Sequence, residues 1–173
     1  MNSPSSANSF SQAIAVTQSL IAQINQNKLS EAEIQQVVSS ILSTKNGGRG
    51  FFVSYLTSDM PLADNPSQGI IEGLKSSIEV SSKLLVKNLA MSSAMIITHG
   101  RNNDTDNIKG SRKVYQRTSN LIQMINSKSI KDELLKLQVT IENKDGEYQD
   151  FLERWNYDAE QKGVILEAIS ILV

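Results

Sequence analysis

The sequence predicts an all-α protein: a single-domain bundle of about six or seven helices around one long buried central helix at residues 66–99. Three observations carry that expectation. The only prolines are Pro4, Pro61 and Pro66, so more than a hundred consecutive residues lack the strongest helix breaker. Through that stretch apolar residues recur at steps of three and four, the period of a helix with one buried face. The polar remainder is Ser, Asn and Gln more than charge, because charged residues make up only 20% of the chain and aromatics 5%. Small side chains of that kind suit the spaces between helices.

The elements follow in order. Residues 1–8 are small and polar and read as a disordered tail, leaving residues 9–173 as one helical domain. A first helix starts at Ser9, with Phe10, Ile14, Thr17, Leu20 or Ile21, and Ile24 on its inner face, and ends near Gln26-Asn27. Ser30 and Glu33 stand in capping-box register and open a second helix through Ile34, Val37, Val38 and Ile41. The short connection predicts an antiparallel hairpin. Asn46-Gly47-Gly48-Arg49-Gly50 reads as a loop, since three glycines in four residues disfavour regular structure. The segment 51–56 is compatible with strand or helix; no pairing strand is evident, so a short helix is expected. A loop holding Pro61 follows.

Asn65, Pro66 and Gln68 then read as cap, first turn and capping-box partner of the long helix, which Gly100 ends in a left-handed conformation. Its stripe is Ile71, Leu74, Ile78, Ser82, Leu85, Leu89, Ser92 and Ile96. Residues 101–110 read as a polar connection. A helix from about Ser111 buries Val114, Thr118, Leu121, Ile122 and Ile125. The next, capped by Ser129, buries Ile130, Leu134, Leu137 and Ile141. After a turn at 143–146, a last helix begins near Glu147 with Tyr148, Phe151, Leu152, Trp155 and Ala159 inward. Gly163 marks a candidate kink.

Composition removes several classes of function. With no cysteine there is no thiolate nucleophile, disulfide or Cys-based metal site. The first ten residues lack the basic and apolar regions of a secretory signal, and no apolar run has the length of a membrane span, so a cytoplasmic protein is expected. A net charge of −1 predicts neither nucleic acid nor an anionic membrane as partner.

The candidate site residues are Arg49, His99, Arg101 and Arg112. His99 is the only histidine. It falls in a helix's last turn, where carbonyl ends attract cations, and Arg101, Asp104 and Asp106 follow closely. This could be a general base with a carboxylate to orient it, or only a favourable helix end. One His among scattered carboxylates lacks metal-ligand spacing, so no metal, cofactor or catalytic residue is expected. The glycine loop lacks the Gly-Lys-Ser/Thr ending of a phosphate-binding loop. A basic strip (Lys109, Arg112, Lys113, Arg117) and an acidic one (Asp145, Glu147, Asp150, Glu153, Asp158, Glu160) could pair within the chain or across a dimer.

Three functions remain. The first is a non-catalytic protein that binds a partner protein or a copy of itself. The second is a pocket for a small anionic ligand, enzymatic or sensory, where the 46–64 loops meet His99 and Arg101. The third is weak RNA binding through residues 109–117.

Overall fold

Every regular element among the described residues is helical, as the spacing predicts. The computed structural model describes residues 9–173; the expected tail at 1–8 lies outside them. Among the described residues there is no strand. The helices are α1 (Phe10–Asn25), α2 (Glu31–Ile41), α3 (Lys45–Thr57), α4 (Gln68–Ser76), α5 (Ile78–Arg101), α6 (Thr105–Ile125), α7 (Lys128–Asn143), α8 (Gln149–Trp155) and α9 (Ala159–Leu172), with a 3-10 turn at Pro61–Ala63. These nine among the described residues exceed the expected six or seven because two stretches read as continuous are each divided; α3 is the expected short helix at 51–56, lengthened back through the supposed loop at 46–50. By its internal contacts the chain forms two compact units, one ending at Leu84 and one covering Leu85–Val173.

In the first unit α1 packs on α3 and α2 on α4, while α1 and α2 touch each other only lightly. Glycine explains the pairing. The segment 46–50, expected as loop, is the opening of α3; Thr44 caps it, its hydroxyl accepting the Gly47 N–H at 3.0 Å. Each glycine costs a helix about 1 kcal/mol relative to alanine. Here that cost is offset by close approach. A Cβ on Gly50 would lie 2.8 Å from the Phe10 carbonyl oxygen and 3.1 Å from the Ile14 nitrogen. One on Gly48 would lie 2.6 Å from Leu84 Cδ1. Gly69 and Gly73 do the same for α4 against α2, facing Ile34 Cβ at 2.8 Å and Val38 Cβ at 2.6 Å. Past the glycines, 51–56 is helix. Phe51, Phe52 and Tyr55 are buried, with Phe51 stacked on Tyr55 and edge-on to Phe52, both at 5.3 Å.

The long apolar helix is present, but 66–99 is two helices, not one. It breaks at Ser77, where φ is −121° and ψ 43°. The Ser81 hydroxyl donates to the Leu74 carbonyl at 2.9 Å, and the Ser77 carbonyl accepts the Ser81 N–H at 3.0 Å. Serine hydroxyls compete with the backbone for hydrogen bonds, and serine pairs are common kink sites. The start also shifts: Ser67, not Asn65, caps α4, its hydroxyl accepting the Ile70 N–H, and the Gly69 N–H donates to the Glu31 carboxylate of α2 at 2.5 Å. At the other end Asn103, not Gly100, takes the left-handed residue (φ 53°), and the Asp104 N–H closes the turn on the His99 carbonyl. An 18-residue window of α5 is apolar enough to cross a membrane, yet 56% of it is buried, as in a core helix.

In the second unit α9 packs on α7 and α6. The expected connection 101–110 shrinks to three residues because Asp104 caps α6, its carboxylate accepting the Asn107 N–H at 3.2 Å. Ser127, not Ser129, caps α7. The last expected helix divides not at Gly163 but at Asn156, whose φ of 48° ends α8; Asp158 and Gln161 then form a capping box that opens α9. Gly163 lies mid-helix with open space around it. The new break turns Trp155 outward, 47% exposed, against the expectation that it faces the core; Ala159 is exposed as well.

Candidate functional site

Arg49 belongs to the first unit, and the other three expected site residues to the second. Arg49 is exposed on α3, its guanidinium carbon 5.3 Å from the centre of the Phe10 ring, a cation–π contact. His99 is half-buried in the last turn of α5, and Arg112 is exposed on α6. Arg101 ends α5 with its guanidinium between two carboxylates, bonding Asp158 at 2.6 Å and Glu160 through its second nitrogen. Those bonds hold the Asp158 carboxyl below the ordinary carboxylate range and push the guanidinium further up. An incoming anion would reach Arg101 only beside the two carboxylates that already neutralise it. Asp104 does not serve as a free orienting group for His99. Bonds from the side chain and backbone N–H of Asn107 pull its pKa down and tie it to the start of α6.

The charged strips divide among structural contacts. Arg117 is buried at 4% exposure and so leaves the solvated basic strip. In the acidic strip Asp158 and Glu160 pair with Arg101, and Glu147 lies 3.1 Å from Lys136. Lys136 also binds Glu133 at 2.9 Å, and the buried Tyr148 hydroxyl donates to the other Glu133 oxygen at 2.7 Å. Burial first, then that bond, pushes the Tyr148 hydroxyl well up. Near it, Tyr157 is pushed up to about 12 by burial alone. At the far end of α9's first turn, Gln161 donates to the Thr98 hydroxyl at 2.9 Å. These contacts fasten the 144–148 turn to α7 and the start of α9 to α5. They are structural in character.

The first unit carries a cleft of about 360 Å³ between α1 and the end of α3. Ile14, Ile21 and Val53 give it apolar walls, with Gln18, Thr57, Ser58 and Asp59 also lining it. The Ser54 hydroxyl in its lining is buried without a hydrogen-bond partner. The cleft's α3 wall is formed by Val53, Ser54 and Thr57, at the end of the helix, and its other wall by α1, a helix distant in sequence whose packing against α3 no local pattern announces.

The outer face of α7 is the second surface. Its inner face buries Ile130, Leu134, Leu137 and Ile141, as the spacing predicts. That leaves Leu135 and Val139 outside, 42% and 47% exposed, one helical turn apart on the same stripe. Lys131 precedes them by one turn and Glu142 follows by one, both exposed. The signal was present in the sequence: after the inward positions are assigned, Leu135 and Val139 are the apolar residues of this helix with no core to enter.

A family model described as "Uncharacterised conserved protein UCP020893" matches residues 9–172. No curated protein and no solved structure matches the chain.

Proposed function

The chain belongs to that family of uncharacterised conserved proteins, and from this premise we propose that it is a non-catalytic binding protein whose partner is a protein, docked on the outer face of α7. The observation that carries this reading is the adjacent pair Leu135 and Val139, apolar and nearly half exposed on a helix whose other face is fully packed. Leaving the exposed halves of this pair in water forgoes roughly 0.7–1.5 kcal/mol per side chain that full burial would supply. An interface core recovers it, and Lys131 and Glu142 provide the polar rim that interfaces carry. The competing reading, a small anion held by Arg49, His99, Arg101 and Arg112, is weakened by the two carboxylates already on Arg101. The RNA reading loses Arg117 to burial. A cytoplasmic setting is part of the same proposal, and the burial of α5 fits a core helix better than a membrane span.

The test is a photo-reactive amino acid placed at Leu135 in the full chain, expressed in cells, with the same residue at exposed Gln123 as control. The expected result is one discrete protein adduct from position 135 that is absent from position 123. Equal, diffuse labelling from both positions would contradict the proposal.

A further inference from the structure

We infer that the partner seated on α7 is a second copy of this chain, its α7 lying antiparallel to the first across a two-fold axis. The inference rests on the reading of α7 as a binding face and adds the identity of its occupant. The order of residues along the stripe is self-complementary: Lys131, Leu135, Val139, Glu142. A two-fold axis through the midpoint between Leu135 and Val139 brings each Leu135 against the other copy's Val139. Lys131 lies ~9 Å before that midpoint and Glu142 ~7.5 Å after it, at 1.5 Å per residue. Each lysine therefore meets the opposite copy's glutamate, and the contact closes on itself as a two-fold interface requires. A parallel pairing would instead oppose lysine to lysine and glutamate to glutamate.

The neighbouring charges leave that match intact. Asp132, the carboxylate nearest the stripe, is already bonded to Lys128 at 2.7 Å. Lys136 is drawn to Glu133 and Glu147 on the other side of the helix. Gln138 donates to Oε1 of Glu142 at 3.0 Å, which leaves Oε2 for the lysine of the other copy. The structure thus presents two apolar residues flanked by one cation and one anion, each placed to meet its opposite in an identical chain.

The test is sedimentation equilibrium of the purified full chain over a wide concentration range, with Lys131→Glu, Glu142→Lys and the double exchange. All the altered side chains are exposed, and circular dichroism verifies that each variant remains helical. The expected result is a reversible dimer, weakened about tenfold or more by either single exchange and restored to within about threefold by the double one. A dimer indifferent to the exchanges, or one the double exchange fails to restore, overturns the antiparallel pairing. A chain that is monomeric throughout overturns self-association. If position 135 then still yields an adduct with a different protein in cells, the binding face stands and only its occupant was misidentified; if it yields none, both readings fall.

Discussion

Single atoms decide where the helices of the first unit can approach. The glycines at 50 and 163 are chemically identical and have opposite roles. A methyl at Gly50 would run into the Phe10 carbonyl and the backbone of Ile14, which have no room to yield. A methyl at Gly163 would meet nothing within 4 Å. Gly50→Ala is therefore expected to lower stability by about 1–3 kcal/mol, and Gly163→Ala to raise it by about 0.5–1 kcal/mol, both read from urea unfolding midpoints. Sequence alone could not separate the two, because the difference lies in neighbours from another helix. The buried Glu133–Tyr148 bond makes a similar point. Tyr148→Phe leaves a buried carboxylate without one of its donors and should cost about 1–3 kcal/mol in the same measurement.

Helix ends are legible where one reciprocal capping box stands out and obscure where several polar residues compete for the cap, as Ser67 does with Asn65 and Ser127 with Ser129, or where the partner is distant. Ser30 and Glu33 form the expected capping box, the serine N–H donating to the glutamate at 2.8 Å, because both partners lie within one turn. The break at Ser77 depends on a hydroxyl seven residues from its carbonyl, and the start of α4 on a carboxylate from α2. Neither leaves a mark at the position it governs. At the start of α9 the Asp158 cap is joined to Arg101. The Asp158 pKa is depressed in the folded chain, so its contribution is present above the unfolded value of ~3.9 and is lost as pH falls through the lower folded value. NMR titration should find Asp158 below its ordinary range, and Arg101→Met should bring it back toward that range. An Asp158 that titrates identically in both chains would show that the backbone cap alone holds it.

The whole-molecule reading was the easiest part to obtain from sequence and the site the hardest. An all-α chain follows from the scarcity of proline and a period that survives errors at individual boundaries. The candidate site does not, because Arg49, His99, Arg101 and Arg112 were chosen for chemistry and not for place. Arg101 spends its charge on Asp158 and Glu160, a pairing between residues more than fifty positions apart. The face that the structure offers instead is made of ordinary aliphatic residues, distinguished only by what the rest of α7 has already buried. If that face exists for a partner, the chain's own stability depends on it only weakly. The direct measurement is to replace Leu135 and Val139 together by serine and to record thermal unfolding and sedimentation on the same preparation. The account predicts a midpoint lowered by no more than about 8 °C, the cost of about 1–2 kcal/mol for trimming two half-buried side chains, together with loss of the associated species. A collapse of the midpoint, or an association that survives the change, would contradict it.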